Sequence, residues 1–132
     1  MRKLIIMTVV AAMAVGCGSS CKTGKTVPAN GTVTTIGVDE FAKTIARKDV
    51  KLVDVRTAKE FDDGHIAGAE NIDVNAADFV QNVRNLNGKV AVYCRSGKRS
   101  LKAAGILAEQ GCTVYNLDGG IMAWQSAGKP VQ

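Results

Sequence analysis

Residues 94–100, with the sequence Cys-Arg-Ser-Gly-Lys-Arg-Ser, hold the side chains best suited to covalent chemistry. The apolar run at 90–93 predicts a strand before them, and the apolar spacing of 101–110 predicts a helix after them. Cys94 would then face backbone N–H groups and the positive end of the helix dipole. Both favour the thiolate form of a cysteine, so the pattern predicts a nucleophile.

The loop that contains Cys94 is cationic. Its basic residues are Arg95, Lys98 and Arg99. These side chains would favour the thiolate and attract an anionic substrate. Gly97 permits a backbone conformation that turns N–H groups towards an anion. Ser96 and Ser100 are candidates to donate hydrogen bonds to the sulfur, although Ser100 is equally suited to cap the helix. The stretch predicts a cysteine acting on a small anion.

Length and composition fit one small globular domain. The chain has 132 residues, of which 46% are hydrophobic, enough for a modest core. Its formal net charge is +5 at pH 7, and much of this charge lies in the N-terminal segment and in the cysteine loop. A nucleic-acid surface would need a broad basic stripe with aromatic residues, and only 5% of the residues are aromatic. We therefore expect no nucleic-acid partner.

Residues 1–16 have the pattern of an export signal. Two basic residues precede an apolar run at 4–15, which is too short to span a bilayer. The sequence Ala-Val-Gly-Cys at 14–17 is similar to a bacterial lipobox, although leucine is more usual than alanine at its first position. We expect export to the cell envelope or periplasm, with a lipid on Cys17 as the membrane anchor. The alternative is a plain secretory signal.

The segment after this signal has the composition of a linker. Residues 17–35 are rich in Gly, Ser, Thr and Lys, which predicts a flexible tether between a membrane and a folded domain. The globular pattern begins at Ile36, so the predicted domain spans residues 36–132.

Strands and helices alternate along the predicted domain. Apolar runs predict strands at 52–55, 71–72, 90–93 and 113–115, and amphipathic segments predict helices or helical turns at 39–47, 58–61, 78–84, 101–110 and 121–126. Such alternation is typical of an α/β domain with a mostly parallel sheet. Ligands of these sheets bind beyond the carboxyl ends of the strands, where Cys94 falls.

Four stretches together resemble the rhodanese domain, the fold of a family of sulfurtransferases. They are Val-Asp-Val-Arg at 53–56 with Glu-Phe at 60–61, Gly-His-Ile-Ala-Gly-Ala at 64–69, the loop at 94–100, and Leu-Asp-Gly-Gly at 117–120 with Trp124. Their order and spacing fit the family over most of the chain after the tether. The resemblance implies one rhodanese domain, with a mostly parallel five-stranded sheet flanked by helices and no resident metal or cofactor.

The resemblance also implies a reaction. Cys94 would take a sulfane sulfur from a small anionic donor, thiosulfate or a persulfide, and hold it as a persulfide. Residues 95–100 would bind the donor, and a thiol or cyanide would accept the sulfur in a ping-pong cycle without a general base. A thiol-bearing protein would also fit as the acceptor. The alternative is a non-catalytic persulfide carrier or docking module in the cell envelope.

Loop length separates two branches of this family. Members that handle sulfur have a six-residue loop, here residues 94–99, whereas relatives that act on phosphate or arsenate have a loop one residue longer that ends in arginine. The extra position here is Ser100, which disfavours phosphatase chemistry. An arginine directly after the cysteine, here Arg95, is similar to the thiosulfate-using branch, whereas the mercaptopyruvate branch has Cys-Gly.

Other polar residues in the matching stretches are expected to be structural. His65 lies in a loop that is structural in the family, and Trp124 is expected in the core. Asp54 and Arg56 are expected to tie the second strand to neighbouring loops. Arg56 and Glu60 are four positions apart and could pair if that turn is helical.

Cysteine count limits the disulfides that this chain can form. The cysteines are Cys17, Cys21, Cys94 and Cys112. Lipidation of Cys17 would leave three thiols, which cannot all pair within the chain, in keeping with a free Cys94. Cys112 is expected in the core, with a disulfide or the resolution of a persulfide as alternatives.

Overall fold

The computed structural model describes residues 31–132. The predicted signal, Cys17, Cys21 and most of the predicted tether lie outside the described residues. Within residues 31–132, none of the helices has the length and apolar character needed to cross a membrane.

One parallel sheet forms the centre of the domain. Its strands are β1 (Thr32–Ile36), β2 (Val50–Asp54), β3 (Glu70–Asn71), β4 (Lys89–Tyr93) and β5 (Thr113–Leu117). They lie in the order β1-β5-β4-β2-β3, and each pairing is parallel. The predicted α/β fold with a five-stranded parallel sheet is confirmed. β4 occupies the middle of the sheet and is covered on both faces, which explains its uninterrupted apolar sequence.

Helices cover both faces of the sheet. They are α1 (Val38–Ile45), α2 (Ala58–Asp62), α3 (Phe79–Asn82), α4 (Lys98–Glu109) and α5 (Gly120–Ser126). α4 begins three positions earlier than predicted, because its first turn is polar and the apolar spacing starts only at Leu101. α2 begins with a capping box, in which Thr57 and Glu60 satisfy each other's backbone N–H groups.

Two apolar clusters hold the helices to the sheet. α3 and α4 pack with the β4 residues Val90 and Val92 on one face, and α1 and α5 pack with Ala91 and Tyr93 on the other. Trp124 is buried in the second cluster with its ring edge-on to Phe41 at a centroid distance of 6.3 Å. The prediction of Trp124 as a core residue is confirmed.

The structure corrects the start of the predicted domain. Residues 32–35, assigned to the tether from sequence, belong to β1, which pairs with β5 at one edge of the sheet. All of β1 except Ile36 is exposed, so the strand lacks the alternation of apolar side chains that identifies a strand in sequence. Backbone hydrogen bonds to β5, rather than burial of side chains, define it.

Candidate active site

Cys94 lies directly beyond the carboxyl end of the central strand. β4 ends at Tyr93 and α4 begins at Lys98, so four residues make the turn. Gly97 closes this turn with φ of 104°, a left-handed conformation that favours glycine. That conformation directs the Gly97 N–H to the Cys94 sulfur, 3.0 Å away. The thiol is only 1% exposed, so its hydrogen-bond partners determine its chemistry.

The surroundings of Cys94 favour its thiolate. Burial, the largest single effect, raises the pKa of the thiol. Hydrogen bonds from the Ser100 hydroxyl and from the backbone amides of Ser100, Gly97 and Ser96 outweigh burial, so the net shift of the Cys94 pKa is downward. Because the thiolate is the nucleophilic form of cysteine, this environment favours the more reactive form of the sulfur.

The three loop cations are not equivalent, which corrects the sequence interpretation. Arg95 and Lys98 are exposed at the mouth of the loop. Arg99 instead forms a two-pronged ion pair with Glu60 of α2, with both N–O distances 2.9 Å. The hydrogen bonds from Ser100 and the loop amides lower the Cys94 pKa more than the cations do. Arg99 therefore holds the loop against α2, while Arg95 and Lys98 are left to meet an anion.

The predicted pair between Arg56 and Glu60 is wrong. The Arg99 guanidinium, together with the backbone and hydroxyl of Thr57, holds the pKa of Glu60 at about 2 despite the opposing effect of burial. Arg56 turns to Asp54 instead. The spacing of four residues brings Arg56 and Glu60 to the same region, but each forms its ion pair with a better-placed residue.

Replacing Glu60 by glutamine is expected to remove a pH-dependent part of the stability. The pKa of Glu60 lies at about 2 in the folded protein and near 4.5 in the unfolded chain, so its contribution is complete above pH 5 and is lost as pH falls towards 2. Melting temperatures of the wild type and of Glu60→Gln should differ most at neutral pH and converge near pH 2. Glu109→Gln, on the exposed side of α4, is the control. A Glu60→Gln difference that stayed constant over this range would contradict the assignment.

A buried ion pair fixes the end of β2 beside the loop. Arg56 donates to both carboxylate oxygens of Asp54, to Oδ2 at 2.6 Å and to Oδ1 at 3.0 Å, and to the carbonyl of Gly64 at 2.7 Å. Its guanidinium also lies 5.6 Å from the ring centroid of Tyr93, whose hydroxyl accepts from the Ile66 amide. These bonds join β2, β4 and the loop at 64–69. The expected tie between Asp54, Arg56 and a neighbouring loop is confirmed.

The first turn of α5 supports the back of the cysteine loop. The Ile121 amide donates to the Cys94 carbonyl at 2.9 Å, and the Met122 amide donates to the Arg95 carbonyl at 3.2 Å. Because these carbonyls point towards α5, the amides of the loop are free to turn towards the sulfur. Gly120 begins α5 with φ of 63°, at closest approach to the loop backbone.

A cavity of about 300 Å³ opens next to the loop. Its lining residues are Arg56, Glu60, Asp63, Arg95, Ile121, Met122 and Gln125. Arg95 gives it an exposed cation, and Met122, which is 48% exposed, gives it an apolar wall. A small substrate entering here meets both a positive charge and an apolar surface beside the loop that carries the sulfur.

His65 makes structural contacts. Its ring stacks on Phe61 with a centroid distance of 3.7 Å, and its Nδ1 lies 3.0 Å from the Phe61 carbonyl. Its backbone exchanges two hydrogen bonds with Gln132. These contacts support the assignment of His65 to structure rather than to a cysteine–histidine pair.

Cys112 is a core residue, as predicted. It is fully buried, and burial raises the pKa of its thiol. The register of β4 on β5 places it beside Gly88, at the opposite end of β4 from Cys94. That separation is about 20 Å along the strands, far beyond the reach of a disulfide. Cys112 therefore cannot resolve a persulfide on Cys94 in this fold.

Sequence reasoning overlooked Asn116. This residue is 2% exposed in β5, and its carboxamide oxygen accepts a hydrogen bond from the Ser100 hydroxyl at 2.5 Å. The signal was a single polar residue inside the otherwise apolar run that leads to Leu-Asp-Gly-Gly at 117–120. A buried polar side chain needs a partner, and here the partner belongs to the cysteine loop.

These features define a class: a parallel α/β domain that presents a cysteine with a lowered pKa in a loop of inward-facing amides at the end of its central strand. The sequence model of the rhodanese-like domain matches residues 37–127, which is most of the described chain. The chain belongs to the rhodanese family.

Individual relatives agree with this assignment. The thiosulfate sulfurtransferase GlpE of Pseudomonas fluorescens is 38% identical over 89 residues, which cover 66% of this chain and 81% of the relative. An uncharacterized Bacillus subtilis protein, YqhL, is 40% identical over 78 residues, or 58% of this chain, and the chain spans 62% of its length. The crystal structure of a rhodanese-related protein from Thermoplasma volcanium superposes with a TM-score of 0.64 at 29% identity, covering 75% of this chain and 97% of that protein.

Proposed function

We propose that this protein is a sulfurtransferase that carries a sulfane sulfur as a persulfide on Cys94, with thiosulfate or a persulfide as the donor. The observation that carries the proposal is the hydrogen bonding of the Cys94 sulfur, which favours a thiolate without any neighbouring base. Membership of the rhodanese family and the similarity to a thiosulfate sulfurtransferase support it.

The first half of the reaction forms the persulfide. The Cys94 thiolate attacks the outer sulfur of thiosulfate, a new S–S bond forms, and sulfite leaves with the electron pair of the old S–S bond. The outer sulfur of the product is an anion at neutral pH. The loop amides and the first turn of α4 stabilise the negative charge as it moves from the Cys94 sulfur to the added sulfur.

The second half of the reaction returns Cys94 to its thiolate. An acceptor thiolate, or cyanide, attacks the outer sulfur, and Cys94 departs with the electron pair of the S–S bond. No proton transfer within the site is needed in either half. This agrees with a site that holds the sulfur by amides and a hydroxyl and uses His65 for structure.

The positive charges of the site differ in their partners, which supports a division of roles. Arg56 and Arg99 are bound to Asp54 and Glu60, so they position the loop. Arg95 and Lys98 are exposed and are available to a dianionic donor, and Arg95 also lines the adjoining cavity. We propose that Arg95 is the main donor-binding cation.

Thiosulfate and intact-protein mass measurement test the proposed function directly. Incubation with thiosulfate should add the mass of one sulfur atom to the wild type and to Cys112→Ser, and nothing to Cys94→Ser. Addition of cyanide or a small thiol should remove the sulfur and complete a turnover. No adduct on the wild type, or an adduct that persists in Cys94→Ser, would overturn the proposal. A stable adduct released only to one protein partner would identify a carrier.

We propose further that the protein is exported and anchored by a lipid on Cys17, as the sequence of residues 1–17 predicts. Labelling of cells with radioactive palmitate should mark the wild type and Cys21→Ala but not Cys17→Ala. Label retained by Cys17→Ala would reject Cys17 as the lipidated residue, and an unlabelled wild type would reject the lipid anchor.

A further inference from the structure

A chain of hydroxyl and amide groups runs from the buried side of the cysteine loop to the exposed edge strand β1. Ser100, in the first turn of α4, is fully buried and donates to the Asn116 Oδ1. The Asn116 Nδ2 donates in turn to the Thr35 hydroxyl of β1, at 3.3 Å. The parallel register places Thr35 directly beside Asn116. The chain therefore leads from the cysteine loop across β5 to the edge of the sheet.

The Ser100 hydroxyl has two acceptors and one proton. Donation to the sulfur is one cause of the lowered pKa of Cys94, and the same hydroxyl lies 2.5 Å from the Asn116 Oδ1, which also accepts from it. A thiolate or a persulfide anion only accepts hydrogen bonds, whereas a thiol has a proton of its own to donate. The charged forms of the sulfur need the Ser100 proton, and the neutral form does not.

Asparagine is suited to control that proton, because its carboxamide has an acceptor on one side and a donor on the other. With Oδ1 facing Ser100, the carboxamide accepts the hydrogen bond of the Ser100 hydroxyl. Rotated by 180°, it presents Nδ2, donates to the Ser100 oxygen and leaves the hydroxyl proton for the sulfur. The Thr35 hydroxyl accepts in the first arrangement and donates to Oδ1 in the second, so every polar atom has a partner in both.

We propose that Asn116 is a positioning residue whose carboxamide turns over when Cys94 becomes anionic, so that the Ser100 hydroxyl is directed to the sulfur. The extension to the persulfide anion rests on the proposed function, whereas the part that concerns the thiolate does not. The rearrangement moves no proton between heavy atoms. It exchanges one set of hydrogen bonds for another.

The test compares Ser100→Ala in three backgrounds: the wild type, Asn116→Asp and Asn116→Leu. The rate of alkylation by iodoacetamide, read by mass spectrometry on the Cys94 peptide of the full chain between pH 5 and 10, gives the apparent pKa of Cys94 because the thiolate is the reactive form. In the wild-type background, Ser100→Ala should raise this pKa by about one unit, making alkylation at lower pH about tenfold slower.

The two backgrounds give opposite expectations. An aspartate carboxylate only accepts hydrogen bonds, so the Ser100 hydroxyl continues to donate to residue 116 and not to the sulfur. Ser100→Ala should then leave the Cys94 pKa unchanged. Leucine has no hydrogen-bond acceptor, so the Ser100 hydroxyl donates to the sulfur. Ser100→Ala should therefore raise the Cys94 pKa in this background. The effect of the added carboxylate charge cancels between the two members of the Asn116→Asp comparison at pH values where the aspartate is ionised in both.

The other charged groups around the cysteine loop are the same in every variant. They are Arg95, Lys98 and Arg99 on the loop and α4, Glu60 on α2, the Asp54–Arg56 pair at the end of β2, Asp73 after β3, and Asp118 after β5. A difference in the Cys94 pKa between two variants of one background therefore measures the effect of the Ser100 hydroxyl.

Three results would overturn the proposal. One is an equal effect of Ser100→Ala in the wild-type and Asn116→Asp backgrounds, the second is no effect in the wild type, and the third is loss of the effect in the Asn116→Leu background. If Asn116→Asp does not fold, the Asn116→Leu background provides the test. If Ser100→Ala no longer raises the Cys94 pKa in that background, residue 116 supports the loop only structurally. Alkylation requires no sulfur donor, so a failure of the proposed function would appear separately, as a wild type that reacts with iodoacetamide but forms no persulfide.

Discussion

Asp54→Ala is expected to lower the free energy of unfolding by about 3–5 kcal/mol, the usual cost of breaking a buried ion pair from one side. Arg56 is only 6% exposed, and its guanidinium would keep its charge and lose all of its hydrogen bonds to the carboxylate. Although burial alone would lower the pKa of Arg56, its bonds to Asp54 raise that pKa overall, so the cation is well compensated only while the carboxylate is present. Urea unfolding followed by circular dichroism measures the loss.

Asp49 provides a matched control for Asp54. It is also an aspartate bound by cations, with Arg47 and Lys89 at 3.1 and 3.0 Å, but its side chain is 54% exposed. Water replaces an exposed partner at little cost, so Asp49→Ala should change the stability far less than Asp54→Ala. Equal losses in the two variants would show that the buried pair does not have the stabilising role assigned to it.

A double variant separates the cost of an unpaired charge from the value of the pair. Asp54→Leu combined with Arg56→Met removes both charges and keeps apolar volume, so it should be more stable than Asp54→Ala. The opposite order would mean that the hydrogen bond from Arg56 to the Gly64 carbonyl, rather than the charge pair, dominates the region.

The fold was predictable because its buried strands appear in the sequence as runs of apolar residues. β4 and β2 lie inside the sheet and read as apolar runs, and α4 and α5 show apolar spacing on one face. β1 was not predictable by the same rule. It lies at the edge with exposed threonines, and its hydrogen bonds to β5 are invisible in a pattern of side chains.

The position of Cys94 was also predictable, but the cause of its reactivity was only partly so. Loop amides were expected from the strand-to-helix turn, and the structure places the Gly97 amide on the sulfur. The cations were expected to act together, yet Arg99 is bound to Glu60, which is 39 positions away in sequence. The rule that residues four apart pair on a helix uses local spacing alone, so it selected Arg56 for Glu60 and missed the tertiary partner.

Long-range pairing explains why the rest of the site escaped prediction. Asn116 and the first turn of α5 reach the loop only because β5 lies beside β4 and because the chain turns back at Gly119. Sequence identifies the polar residue in β5 and the two glycines that follow it. It does not state which loop they will face.

Gly120→Ala is expected to reduce persulfide formation by about 100-fold, because displacement of a reacting group by about 1 Å has effects of that size. A Cβ at this position would lie 2.3 Å from the Arg95 carbonyl oxygen and 2.6 Å from the Cys94 carbonyl oxygen. Both are backbone atoms of the cysteine loop and cannot rotate away. The loop would have to move off α5, which would break the bonds from the Ile121 and Met122 amides that fix its carbonyls.

Gly128→Ala isolates the effect of this contact. Gly128 also has a positive φ, 80° against 63° for Gly120, but a Cβ there would meet nothing within 4 Å. Both variants impose backbone strain, so both should lose some stability, whereas only Gly120→Ala should lose the adduct that thiosulfate forms on Cys94. Initial rates of adduct formation by intact-protein mass, measured below the melting temperature of each variant, make the comparison. Equal rates in the two variants would show that contact with α5 does not set the geometry of the sulfur.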